Sequence, residues 1–203
     1  MARALWAAAT ANGPIDILIN NAGFGYFRRF DEVDWTRDAE LMQLNMNSLV
    51  ALARCFVDAH KTTNTPAYMV NIASTGAYQS VPNMALYAAS KAFVRNFSEA
   101  LHDEHSGTPL SVTCICPGGT DTAFHSASGG DHSWIANAST KSAAFVAQSA
   151  IQAMLRGKRT VVPGLFNKLT CFGVRFLSRP LASRVTTYVL GKPTLALPVR
   201  TKG

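Results

Sequence analysis

The sequence predicts an α/β fold in which a parallel sheet is covered by helices on both faces. Its strand candidates are apolar throughout rather than alternating, helical stretches separate them, and three of them end in small or polar clusters. Residues 3–11 are Ala-rich and stop at Asn12-Gly13-Pro14, which predicts a helix. Ile15-Asp16-Ile17-Leu18-Ile19 predicts the first strand, ending in Asn20-Asn21-Ala22-Gly23. Over residues 38–59, Leu41, Leu44, Ser48 and Ala51-Leu52 share one helical face. Tyr68–Ala73 predicts the second strand, running into Ser74-Thr75-Gly76. An Ala-rich helix over 85–105 follows, then a β-branched third strand over Leu110–Cys116, stopped by Pro117-Gly118-Gly119. A helix over 141–155 and a fourth strand, Thr160-Val161-Val162, complete the pattern. In parallel sheets ligands gather at the carboxyl ends of the strands, so the clusters at residues 20–23, 74–76 and 117–122 form the candidate edge.

Composition is compatible with this fold and narrows the function. The chain has 203 residues, 48% hydrophobic and 15% charged, enough apolar content for a buried core in one domain with an appendage. Cys55, Cys114, Cys116 and Cys171 are too few and too unevenly spaced for a disulfide framework, and no His/Cys cluster has zinc spacing. A reducing, cytoplasmic compartment is the expectation, with no metal. Residues 1–131 hold 8 Lys/Arg and all 12 Asp/Glu, whereas residues 132–203 hold 11 Lys/Arg and no acid. The basic character belongs to the C-terminal third and lacks aromatic interleaving, which argues against nucleic acid.

Chemistry concentrates in Tyr87-Ala88-Ala89-Ser90-Lys91, where a phenol and an ammonium stand one helical turn apart. A nearby cation favours the phenolate and lowers a tyrosine pKa from its usual ~10, making Tyr87 a plausible general acid/base. Alone, such a pair is more often an exposed helical contact. Ser74, 13 residues earlier at the end of a strand, adds a hydroxyl at the ligand edge, although Ser there is also an ordinary turn or cap residue.

Taken in order, Asn20-Asn21-Ala22-Gly23, Asn45 in Leu44-Asn45-Met46-Asn47, Ser74, Tyr87–Lys91 and Pro117-Gly118-Gly119-Thr120-Asp121-Thr122 resemble the short-chain dehydrogenase/reductase family over residues 3–164. The resemblance implies a Rossmann-like, doubly wound sheet and an NAD(P)-dependent oxidoreductase interconverting an alcohol and a ketone or aldehyde. It casts Tyr87 as proton donor and acceptor, Ser74 as a hydrogen-bond partner of the substrate oxygen, and Lys91 as the group that lowers the Tyr87 pKa and holds the nicotinamide ribose. Asn45, preferred over Asn47, would hold a water linking Lys91 to solvent. Asn21, with Ala22 and Gly23, would stabilise the sheet and approach the adenosine side of the cofactor. Pro117, Gly118, Thr120 and Thr122 would line the nicotinamide. The cofactor would be NAD or NADP, with NADP favoured by analogy, and a homo-oligomer is expected on the same ground.

One family feature is missing. No Gly-rich strand-turn-helix precedes the Asn20–Gly23 turn, and Gly23-Phe24-Gly25 does not substitute for it. By this comparison the chain is N-terminally truncated, lacking roughly 60 residues or more that would form two βαβ crossovers. An alternative reading is therefore a non-catalytic remnant or interaction module, a half-sheet unable to bind a dinucleotide alone. The division expected is residues 1–164 as the partial catalytic domain and 165–203 as a basic amphipathic tail. Phe124–Ala138 reads as a substrate-covering segment, with His125, His132 and Trp134 as solvated or substrate-facing residues. In the tail, Leu165, Leu169, Phe172 and Phe176 share a helical face with Lys168, Arg175 and Arg179 alongside, and 183–190 is expected to continue it before Pro193 and Pro198 break order. That helix would pack on its own domain or on a partner subunit, or lie on a membrane surface.

Overall fold

The computed structural model describes residues 2–121 and 139–190. Its central element is a four-stranded parallel sheet, Rossmann-like in its alternating strands and helices. Strand β1 (Ile17–Asn20) lies at one edge and pairs with β2 (Ala67–Ile72), which pairs with β3 (Leu110–Ile115). The other edge is a short strand, Thr160–Val161, paired with Cys114 and Ile115. Strand pairing continues past β2: Ala73 N–H donates to the Ile115 carbonyl (2.7 Å) and Thr75 N–H to the Pro117 carbonyl (2.8 Å). Ser74 is thereby pinned beside the Pro117 turn.

Helix α1 (Ala2–Ala9) precedes β1. Helix α2 (Trp35–Met42) starts at Asp34, whose side chain accepts from Thr36 N–H. It runs through a π-helical turn, Gln43–Ser48, into α3 (Leu49–His60). The expected single helix over 38–59 is thus longer and interrupted; the Ser48 hydroxyl donates to the Gln43 carbonyl five residues back (2.9 Å), within the widened turn. Helix α4 (Ala85–Glu104) follows β2, and α5 (Ala143–Leu155) follows the Pro117 turn. Lys141 and Ser142, expected at the start of that helix, instead pair in parallel with Thr120–Asp121. Ser142 is the cap, its hydroxyl accepting from Phe145 N–H (3.2 Å).

The apolar strands pack as the period of two requires. Ala67 and Met69 of β2, with Leu110 and Val112 of β3, meet Ala53 and Phe56 of α3. Val70 and Ile115 point the other way, onto Ala153 and Met154 of α5. Full coverage of both faces fails at β1. Leu18 and Trp6 pack against the Phe56 cluster, but Ile17 and Ile19 on the opposite face are 48% and 53% exposed, whereas β2 and β3 carry α5 on that face. Buried polar groups tie the layers together: Asn20 Nδ2 donates to Asn71 Oδ1 (2.8 Å), and Asn71 Nδ2 donates to Ser98 Oγ on α4 (2.9 Å).

After the last strand, α6 (Leu165–Gly173) and a 3-10 turn (Val174–Phe176) end at Leu177-Ser178, and α7 (Arg179–Leu190) begins anew rather than continuing from residue 183. The inner face of α6 is buried through Asn167 and Cys171, while Leu165, Leu169, Phe172 and Phe176 face away from the domain. Thr122, the Phe124–Ala138 segment with His125, His132 and Trp134, and Pro193 and Pro198 lie outside the described residues.

Candidate active site

Three chain segments converge at the carboxyl end of the sheet. Ser74 sits in extended conformation just past β2 and accepts from Gly76 N–H (3.1 Å). That contact uses a lone pair and leaves the hydroxyl hydrogen for Tyr87, to whose phenol Ser74 is hydrogen-bonded. Tyr87 stands in the first turn of α4. The approach to that turn is held from outside: Arg28 N–H donates to the Asn83 carbonyl (2.7 Å), and Asn83 adopts the left-handed conformation (φ 65°) that Asn tolerates better than most residues.

Lys91 lies one turn further along α4, buried, with Nζ donating to the Ile72 carbonyl at the end of β2 (2.8 Å) and 5.9 Å from the Tyr87 ring centre. Burial pulls its pKa down to about 8, a shift that the neighbouring Cys114 and Cys116 partly oppose. Burial also raises the Tyr87 pKa, and the Ser74 hydrogen bond counters it by favouring the phenolate. Desolvation is thus the larger influence on the Tyr87 phenol, with the Ser74 hydrogen bond opposing it.

Asn45 is fully buried in the π-helical turn. Its amide clasps the backbone of Phe24, accepting from Phe24 N–H (3.1 Å) and donating to the Phe24 carbonyl (2.9 Å). It also donates to Ser90 Oγ (3.1 Å), which in turn donates to the Tyr87 carbonyl (2.7 Å). Asn47 is exposed and its amide donates to Gln43 of its own helix (3.0 Å). Of the two asparagines, Asn45 is the one joined to α4.

Glycines make this packing possible. A Cβ on Gly23 would stand 3.0 Å from Asn45 Oδ1 and 3.4 Å from Lys91 Nζ, so this backbone runs between the two polar groups. A Cβ on Gly25 would come within 2.5 Å of the Tyr87 ring, which leans directly on the glycine. Gly25 and Ser90 escaped the sequence reading, although Ser90 lies within the Tyr87–Lys91 motif. Asn20, placed in the turn motif without a role of its own, supplies the amide that ties β1 to β2, while Asn21 and Ala22 are exposed and line a 420 Å³ groove with α1, β1 and Leu44.

The Pro117 turn is held by another unforeseen residue. Asn167 of α6 donates to the Ser139 and Pro163 carbonyls (3.0 Å each), and its amide lies so close to Gly118 that a Cβ there would be 2.5 Å from Nδ2. The Thr120 hydroxyl donates to the Gly118 carbonyl (3.3 Å). No sequence signal marked Asn167, because its partners lie in three separate segments. A larger cavity of 740 Å³ lies on another side of α4, between Tyr78, Ala85, Ala89, Arg95 and Arg175, and includes neither Ser74 nor Tyr87.

The residues fit one half of a nicotinamide cofactor. Lys91, Tyr87 and the Pro117–Thr120 turn gather at one strand edge, with Gly23 leaving room for close backbone approach. Among the described residues no Gly-rich strand-turn-helix offers a pyrophosphate cradle.

The family model for short chain dehydrogenases matches residues 1–132. The chain is 32% identical over 111 residues to the "Probable oxidoreductase EphD" of Mycobacterium tuberculosis, covering 55% of this chain and 19% of that protein. It is 30% identical over 106 residues to the ketoacyl reductase HetN of Nostoc, covering 52% and 37%. The matched region thus spans a fifth to under half the length of these relatives. In three dimensions the chain is similar to a 7β-hydroxysteroid dehydrogenase (TM-score 0.77, 21% identity, 91% of this chain and 71% of that one). It is also similar to a short-chain dehydrogenase from Sphingobium yanoikuyae in complex with NADPH (TM-score 0.72, 25% identity, 86% and 68%).

Proposed function

Because the chain belongs to the short chain dehydrogenase family, we propose that it serves an NAD(P)-dependent oxidoreductase interconverting an alcohol and a ketone or aldehyde. The observation that carries this reading is the Ser74–Tyr87 hydroxyl pair at the end of β2, with Lys91 one turn away on the same helix. When bound, the nicotinamide supplies or accepts the hydride. Lys91 and Tyr87 would hold its ribose, Pro117, Gly118, Thr120 and Thr122 its nicotinamide, and Asn21, Ala22 and Gly23 the adenosine side.

The chain's own residues handle the proton. Burial favours the neutral phenol of Tyr87 at neutral pH, the form that donates to a carbonyl oxygen. Ser74 orients that oxygen and stabilises the phenolate left behind. Lys91, with a pKa near 8, can return a proton to the site, and Asn45 anchors the loop and helix that meet there.

Tyr87→Phe tests this reading by following reduced-nicotinamide absorbance against a panel of ketones. Turnover is expected to vanish while the circular dichroism spectrum is unchanged; retained turnover refutes Tyr87 as the acid/base. A second reading, a half-sheet acting as an interaction module, is favoured by the open face of β1 at Ile17 and Ile19. Fluorescence titration of the chain with NADH and NADPH separates the two. Submicromolar binding excludes the second reading, and absence of binding favours it.

A further inference from the structure

The mechanism leaves unused the surface that α6, the 3-10 turn and α7 present to solvent. Leu165, Leu169, Phe172 and Phe176 are 72%, 59%, 54% and 75% exposed, at the three- and four-residue spacing of one helical stripe. The stripe lies opposite the buried Asn167 and Cys171, so it points away from the domain. Phe172 and Phe176 pack edge to face (5.3 Å), and the Arg175 guanidinium stands 6.0 Å from the Phe172 ring. Helix α7 repeats the pattern: Ala182 is buried, while Leu181, Val185 and Tyr188 are exposed with Arg184 among them. Lys168, Arg175, Arg179 and Arg184 are all exposed, and the sequence holds no carboxylate side chain from residue 132 to residue 203.

We propose that this surface docks on an anionic lipid bilayer, with the Leu165–Phe176 stripe in the acyl boundary and Lys168, Arg175, Arg179 and Arg184 on the headgroups. The argument is one of complementarity. Large exposed apolar side chains want a non-aqueous neighbour, and the exposed cations beside them want negative charge; an anionic interface supplies both at once. A second copy applied face to face would bring like charges together. No described helix is long and apolar enough to cross a membrane, so the contact is with the surface.

Flotation of the intact chain tests the proposal, using vesicles of phosphatidylcholine alone and of phosphatidylcholine mixed with phosphatidylserine. The chain is expected to float with the mixed vesicles, weakly or not at all with phosphatidylcholine alone, and to be released by added salt. Phe172→Ser combined with Phe176→Ser, and separately Lys168→Glu combined with Arg175→Glu, should each lower vesicle partitioning by about tenfold or more. Thermal melts should be unchanged, since all four side chains are exposed. If either pair does not fold, the salt and lipid dependence of the unmodified chain decides the matter. Failure to float with anionic vesicles at low salt overturns the proposal. So does flotation that neither folded variant weakens, or a sedimentation coefficient showing that the Phe172/Phe176 stripe instead joins two copies or an acidic protein.

Discussion

Lys91→Met isolates the cost of keeping an ammonium under the sheet edge. The folded-state pKa is about 8 against 10.5 for a free lysine, so the unfolded chain holds this proton more tightly than the folded one. The sign follows: folding is penalised in full below pH 8, and the penalty fades as pH rises from 8 towards 10.5. At 1.36 kcal/mol per unit, the shift corresponds to about 3 kcal/mol at pH 7 and about 1 kcal/mol at pH 9.5. Methionine removes this penalty but strips the Ile72 carbonyl of its 2.8 Å donor. That loss costs about 1–2 kcal/mol at either pH. The variant is therefore expected to be more stable than the parent at pH 7 by about 1–2 kcal/mol, and to lose about 2 kcal/mol of that advantage by pH 9.5. Urea unfolding followed by circular dichroism at the two pH values reads the difference directly. A variant less stable at pH 7 than at pH 9.5, relative to the parent, or a difference independent of pH, would refute the reasoning.

Two further substitutions probe the packing that holds the site. Gly25→Ala places a methyl 2.5 Å from the Tyr87 ring and should destabilise by about 1–3 kcal/mol in a thermal or urea melt, displacing the phenol from Ser74. An unchanged melting temperature would mean that the ring does not rest on this glycine. Asn20→Ala leaves Asn71 Oδ1 without its donor inside the core and should cost about 1–3 kcal/mol, whereas Asn21→Ala, at an exposed position, should cost much less. Equal losses from the two would contradict the assignment of the strand tie to Asn20.

Much of the fold was legible in the sequence because hydrophobic periodicity and turn residues act locally. The apolar strand runs, the Ala-rich helix over 85–104 and the turns at residues 20–23 and 117–119 all carry their signals within a few residues. The order of motifs likewise singles out Ser74, Tyr87, Lys91 and Asn45 as candidates, and the fold brings them to the same region of the sheet edge. What sequence could not reach depends on groups brought together from distant segments. The clasp of Asn45 on Phe24, the seat of Tyr87 on Gly25 and the wedge of Asn167 over Gly118 are contacts between parts far apart in the chain. The Tyr87 pKa depends on such contacts too: a Lys four residues away is visible in sequence, but the burial that raises the phenol's pKa is created only when α4 closes on the sheet. Local patterning determined which elements form, and the order of motifs which residues are candidates for chemistry. Tertiary burial decided their protonation and their mutual positions, because the dielectric around a group belongs to the folded surroundings and not to its neighbours in the chain.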